Sequence, residues 1–220
     1  MAGNSRTSRR RRGGPRPGAD ARVTRDAIFA AAADAFSRRG LDGVTVDEIA
    51  RAAGVNKAMI YYYFTDKLAL YRAIVCEMLD EARMRIGAIV ADPVSPVQKL
   101  ERFVAALIGL TDARPYFPPL MLREIAEGAL HLDVEILNRM RDVFMAFARI
   151  LTEGQGSGAF RVVHPVLAYM SVMAPVLLNA ARERAAAQPG RDQMPMFVAV
   201  PHTELTRHMQ RVAVQMLKKE

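Results

Sequence analysis

The 220-residue sequence predicts an all-α fold, and three observations predict it. Apolar residues recur at three- and four-residue steps in one segment after another, as in helices with one buried face. Residues suited to starting helices precede those segments, and glycines or prolines suited to ending them follow. Apolar–polar alternation of the strand kind never holds for more than a few residues. The composition, 51% hydrophobic and 25% charged, is that of a chain with a real core, and the length suits one large domain or two small ones.

Residues 1–22 are rich in Arg, Gly, Ser and Pro. They hold too few apolar groups to fold and are expected to be a disordered tail. A first helix is expected over 23–39, with Thr24 as its cap and Asp26 in its first turn. Ile28, Ala32, Ala35 and Phe36 share one face, and Gly40 stops the helix. Thr45-Val46-Asp47-Glu48 is a capping-box sequence that opens a short helix to about Ala53. Gly54 allows a sharp left-handed turn, and Asn56 can cap a second short helix over 57–64.

Thr65 is expected to cap a long helix over 66–90, with Ile74, Met78, Ala82 and Ile89 as its stripe and Asp92-Pro93 at its end. A helix over 97–113 follows, with Leu100, Phe103, Val104, Leu107 and Ile108 in register. The segment 114–119 reads as a break, 120–127 as a helix, and 133–153 as a helix with Ile136, Met140, Phe144, Phe147 and Leu151 aligned. A flexible loop is expected at 154–158. The segment 165–187 is a strongly apolar helix in which Pro175 is a kink candidate. After a loop over 188–201, the segment 203–219 closes the chain as a helix.

The formal net charge is +8, and the tail carries most of it: residues 1–22 hold seven arginines against one aspartate. Such a tail attracts polyanions, with nucleic acid first and an anionic membrane surface second; a solvated tail without a partner is the alternative. No apolar run reaches about 18 residues, so no membrane-spanning helix and no membrane partner are expected. No apolar stretch of the secretory kind follows the basic N-terminus. The one cysteine cannot form an intramolecular disulfide and fits a reducing, cytoplasmic setting.

Two short capped helices joined by a glycine turn suggest a helix-turn-helix, whose second helix enters the DNA major groove while the first crosses the backbone. Phe36, Ile49, Ala50, Val55, Ile60 and Phe64 fit a small three-helix core. Tyr61, Tyr62 and Tyr63 are successive residues at about 100° steps and cannot all be core. The run Thr45-Val46-Asp47-Glu48-Ile49-Ala50-Arg51-Ala52-Ala53-Gly54-Val55-Asn56-Lys57, with Ile60-Tyr61-Tyr62-Tyr63-Phe64-Thr65-Asp66-Lys67 after it, resembles the DNA-binding domain of the TetR/AcrR family. The resemblance covers about residues 24–72 and divides the chain into a tail (1–22), a helix-turn-helix domain (23–69) and an effector-binding and dimerisation domain (70–220).

The resemblance implies roles at matching positions. Thr45, Asn56 and Lys67 would contact phosphate. Lys57, Ala58 and Met59 would face base edges, Met59 through an apolar contact such as a thymine methyl. Tyr61 and Tyr62 would contact phosphate or base. Tyr63 stands where the family most often has histidine and retains a hydroxyl for phosphate. Ala58 and Met59 stand where small or hydroxyl residues are commoner.

The resemblance further implies a homodimer built on the last two helices, with Val166, Tyr169, Met170, Met173, Val176, Leu177, Met209, Val212 and Met216 as interface candidates. It also implies an effector cavity, with Phe103, Leu107, Tyr116, Phe117, Met121, Met140, Phe144, Phe147 and Met173 as lining candidates. Such stripes are also what plain core looks like. Arg123 and Glu124 are the polar candidates, and the segments 114–119 and 154–158 are candidate mobile rims. The expected partners are double-stranded DNA, a second copy of the chain and a small apolar or aromatic effector, and the expected function is a ligand-responsive repressor.

No enzyme is expected: there is no Gly-rich phosphate loop, no Gly-x-Ser-x-Gly and no His-Glu-x-x-His. Cys76 is read as core. His131, His164, His202 and His208 lack ligand spacing, so neither metal nor cofactor is expected. The competing reading is a sequence-independent, nucleoid-type DNA-binding protein acting through the arginine tail, with a membrane-surface role for the tail as a third.

Overall fold

The computed structural model describes residues 19–191, 194–198 and 200–219. Helices carry them: α1 (Ala19–Arg39), α2 (Val46–Ala53), α3 (Lys57–Tyr63), α4 (Lys67–Ala91), α5 (Pro96–Ala113), α6 (Phe117–Ala126), α7 (Val134–Gly156), α8 (Pro165–Ala186) and α9 (His202–Leu217). Among the described residues there is no strand, only an isolated bridge between Phe160 and Lys218.

Two cores organise these helices. The first gathers Ile28, Phe36, Ile49, Ile60 and Phe64 from α1–α3 and the residue after it, and closes with the N-terminal half of α4 and the buried face of α6. The second is built by α5, α7, α8 and α9 around Phe103, Phe147, Ile150 and Val172. α4 joins them: Leu70, Tyr71 and Ile74 belong to the first, Ala82 and Ile86 to the second. At 1.5 Å per residue it spans about 37 Å. The expected domain division at 69/70 thus falls just inside a continuous helix.

The caps explain the short helices. Thr45 and Glu48 form a complete capping box at α2, with Glu48 N–H donating to Thr45 Oγ1 at 3.3 Å and Thr45 N–H donating to Glu48 Oε2 at 2.7 Å. Gly54 ends α2 at φ +67°, a left-handed backbone that glycine adopts without a Cβ penalty. Asn56 caps α3 by accepting from Ala58 N–H at 2.9 Å.

Several boundaries differ from the sequence expectation. α1 begins at Ala19, so residues 19–22 are helix rather than tail; Ala and Arg are strong helix formers, and Asp20 suits a helix start. The rest of the tail, residues 1–18, lies outside the described residues. Asp66, not Thr65, caps α4: its carboxylate accepts from Ala69 N–H at 2.7 Å. α6 begins at Phe117 because first-turn amides need no acceptor, so Pro118 and Pro119 fit there.

The expected loop at 154–158 is largely the last turn of α7. The Phe160 ring lies where a Cβ on Gly154 would stand, and Phe160 N–H donates to Gly154 O at 2.9 Å. Arg161 N–H donating to Leu217 O at 2.8 Å then ties the following residues to the end of α9. α8 runs through Pro175. Contrary to the reading from apolar runs, α8 is long and apolar enough by composition to cross a membrane. Only 22% of that stretch is buried within the fold.

Candidate functional site

The helix-turn-helix presents a mixed set of groups. Tyr61 and Tyr62 are 48% and 77% exposed on α3, and Ala58 is exposed beside them. Ile60 and Phe64 turn into the core and so force the tyrosines outward. Tyr63 is half-buried with its ring edge-on to Tyr62 at 5.0 Å. Met59 is also half-buried and packs against the three-helix core, which leaves only part of its surface free. Asn56 spends its carbonyl on the cap and keeps its amide free. Lys57 Nζ donates to Asp47 Oδ2 at 2.8 Å, a bond that pushes the lysine pKa up.

Two phosphate candidates are held internally. Thr45 donates its hydroxyl to Glu48 Oε2 at 2.8 Å, so both its donors serve the capping box. Lys67 Nζ donates to Leu41 O at 2.8 Å and Val44 O at 2.9 Å, pinning the α1–α2 connection to the start of α4. Arg51 escaped the sequence reading. It is exposed, and no ion pair or hydrogen bond to its guanidinium occurs among the described residues. Its i−4 neighbour Asp47 is taken by Lys57, and its i−3 neighbour Glu48 by Arg39 at 2.7 Å. Arg25 was missed as well; its guanidinium lies 5.4 Å from the Phe64 ring centre.

The second region is a cavity of about 530 Å3 between α4, α5, α6, α7 and α8. Of the lining candidates, Leu107, Phe117, Met121, Met140, Phe144 and Met173 are on its wall. Phe103 and Phe147 are not: they are fully buried against each other, ring centres 5.2 Å apart, in the core behind the wall. Tyr116 caps α6 outside the wall. The sequence reading missed Met78, Leu79 and Ala82 of α4, whose stripe was assigned to packing alone. It also placed Tyr169, Met170, Val176 and Leu177 at a dimer interface, whereas all four line the cavity.

The interface candidates divide. Val176, Leu177 and Met209 are buried inside the chain, so they are corrected to intrachain packing. Tyr169, Met173 and Met216 are half-buried. Val166, Met170 and Val212 are exposed, and Leu167 and Leu178 are bare apolar positions as well, at 64% and 59% exposure; of these, Met170 and Leu178 border the cavity. A helix with an apolar stripe on one side and a second apolar stripe on the other looks, from sequence, like one broad stripe.

The polar candidates Arg123 and Glu124 do not reach the cavity. Glu124 is 1% exposed and off the cavity wall, where it accepts from Tyr71 Oη at 2.6 Å and bonds His131 Nδ1 at 2.9 Å. Burial, and then this bond to Glu124, push the Tyr71 hydroxyl far above its ordinary range. Arg123 packs beside Gly40 and pairs loosely with Glu127 at 3.8 Å. Glu124, Glu127 and His131 lie within 4.8 Å of one another, a grouping that chain spacing had not suggested. Cys76 is half-buried, packed against the first core and bordering a polar groove between α4 and α7, and burial raises its thiol pKa, which disfavours the thiolate.

A capped helix-turn-helix joined by one long helix to an apolar cavity can be compared with known proteins. The family model described as bacterial regulatory proteins, tetR family, matches residues 28–74, and one described as tetracyclin repressor-like, C-terminal domain, matches residues 96–190. The HTH-type transcriptional repressor BepR of Brucella suis is 31% identical over 146 residues, 64% of this chain and 70% of BepR.

The chain belongs to the TetR family.

The HTH-type transcriptional regulator RutR of Escherichia coli is 27% identical over 139 residues, 63% of this chain and 65% of RutR. The chain thus spans about two thirds of the length of these curated relatives. Among solved structures, the ketosteroid transcriptional regulator KstR2 of Mycobacterium tuberculosis superposes with a TM-score of 0.72 at 19% identity, over 89% of this chain and 95% of that one. A tetR-family regulatory protein from Rhodococcus RHA1 gives 0.73 at 18% identity, over 90% and 98%. These likenesses carry the fold. As a TetR-family member the chain is a DNA-binding transcriptional regulator and not an enzyme, and the nucleoid-type reading of the arginine tail finds no support.

Proposed function

We propose that the chain is a cytoplasmic, homodimeric repressor that binds a palindromic operator through α3 and is released by a small apolar or aromatic effector in the cavity. One observation carries this reading. Met78, Leu79 and Ala82 on the cavity wall belong to the same helix as Leu70 and Tyr71, which pack into the helix-turn-helix core. A guest that changes the packing of α4 therefore acts on the element that holds the DNA-binding head. It shifts DNA affinity by its differential affinity for the two arrangements and by no more.

On α3, Tyr61, Tyr62, Ala58, Lys57 and part of Met59 are the surface offered to the major groove, with the Asn56 amide and Arg51 as phosphate donors. The bare apolar surface of Val166, Leu167 and Val212, off the cavity wall, is assigned to the second copy. A dimer lets two recognition helices meet half-sites about one DNA turn apart.

The test is selection of DNA from a random pool at near-physiological salt, with the full chain and with a chain lacking residues 1–18. The expected result is one palindrome enriched by both. Loss of all enrichment on removing the tail would overturn the reading. Sedimentation equilibrium checks the dimer: Leu167→Glu with Val212→Glu, both off the cavity wall, is expected to give monomers that bind the operator at least about tenfold more weakly.

A further inference from the structure

The cavity wall is apolar except for Thr111, Tyr169 and Arg141. Thr111 donates its hydroxyl to Ile108 O at 2.8 Å and is satisfied on its own helix. The Tyr169 ring stands edge-on to Phe144 at 5.3 Å and to Phe147 at 5.5 Å, and acts mainly as aromatic wall. Arg141 is different. It is exposed, and no ion pair or hydrogen bond to its guanidinium occurs among the described residues. Its neighbours on α7 are all assigned. Arg139 holds Glu135 at 2.8 Å and Asp80 at 2.9 Å, and Asp142 pairs with Arg83 at 3.1 Å. The available carboxylates are spent, and one guanidinium is left over where the apolar cavity meets water.

We propose that the effector is an amphipathic anion, with its hydrocarbon body in the cavity and its carboxylate on Arg141 at the mouth. This rests on the reading of the cavity as the effector site and names the chemical class that fits it. A carboxylate carried to the apolar interior would lose its hydration without a partner, so it must stay at the rim. A guanidinium there offers two parallel donors to one carboxylate. The body gains from the wall: each buried methylene strengthens binding about fourfold, and a cavity of about 530 Å3 is within the usual range for small-molecule sites.

The experiment is calorimetric titration of the full chain with decanoate and with decan-1-ol, which share a body and differ in the head. Decanoate is expected to bind at least about fivefold tighter. Arg141→Gln is expected to remove that preference while leaving decan-1-ol binding unchanged, and Arg141→Lys to keep part of it. Arg149→Gln alters an exposed arginine further along α7 and off the wall, and it should leave the preference intact. Molar salt should shrink the preference in the unaltered chain. Equal affinity for the two probes, or a preference that survives Arg141→Gln, overturns the anionic head and leaves the cavity reading standing. Failure of both probes to bind overturns the two together.

Discussion

Around α2 and α3 the polar groups hold one another. Thr45 and Glu48 close a capping box, Arg39 and Lys57 neutralise Glu48 and Asp47, and Lys67 donates to the carbonyls of Leu41 and Val44. Around the cavity the wall is almost wholly apolar, built mainly of Met, Leu, Phe, Val and Ala in contact, with one cation left over. Directional bonds of fixed length hold a helix at a fixed angle, as reading a groove requires. Non-directional packing by flexible thioethers adapts to the shape of a guest, as sensing requires. The two regions thus divide rigidity and adaptability between them, and α4 runs through both.

The largest test of that division pairs two fully buried aromatic rings. Phe36 stands edge-on to Tyr71 at 5.3 Å in the first core, and Phe147 packs on Phe103 in the second. Each change to Ala is expected to cost about 3–5 kcal/mol. Thermal unfolding checks the magnitude, and operator binding separates the two: Phe36→Ala should abolish it at temperatures where the helical signal of the second core persists. Loss of both cores together in both variants would show that α4 makes the chain one cooperative unit.

The next pair lies at the end of α7. Gly154→Ala drives a methyl into the Phe160 ring, whose Cδ2 would be 1.9 Å from it, and is expected to cost about 1–3 kcal/mol. Gly156→Ala meets nothing within 4 Å and should be neutral or stabilising by up to about 0.5 kcal/mol. Chemical denaturation of both variants decides it. Equal effects would mean that the segment 154–158 behaves as the loop its glycines suggest.

A third change returns to the DNA-binding head. Gly54→Ala also has open space around it, but its φ of +67° makes the Cβ costly, so a loss of about 1 kcal/mol is expected. Together with Gly154 this separates two reasons for a glycine, backbone hand in one region and a close neighbour in the other.

The two regions were not equally legible in the sequence. The capping box, the Gly54 turn and the inward pair Ile60 and Phe64 are local, and local rules read them correctly. The capping box that occupies Thr45 is legible three residues away, and its outward role came from the resemblance alone. Lys67 has an outward role in the sequence reading because the carbonyls that occupy it lie beyond short-range spacing. Lys67 bonds to carbonyls 23 and 26 residues away. Gly154 reads as loop for the same reason, since the ring that excludes a side chain there is six residues on and arrives only after a turn. The cavity was legible in its residue types but not its outline. Phe103 and Leu107 share a stripe of α5, yet only Leu107 reaches the wall, and the α4 and α8 wall residues look like ordinary packing. Which side of an apolar stripe faces a void is a property of the assembled helices.

The smallest effect concerns Glu48, whose state governs the groups Thr45 can offer. The Arg39 guanidinium, followed by the amide and hydroxyl of Thr45, holds its carboxyl near pKa 2 against an ordinary 4.5. Because the folded pKa is the lower one, the stabilisation is complete above pH 4.5 and is lost as pH falls through about 2. An NMR titration of the Glu48 carboxyl is expected to give a midpoint near 2, and Arg39→Ala should move it toward 4.5. Molar salt should also raise the midpoint, since the pair lies at the surface. A midpoint near 4.5 in the unaltered chain would mean that the box is open in solution. Thr45 would then have its hydroxyl and amide free for phosphate, and the contrast between a bonded head and an adaptable body would weaken at its most local point.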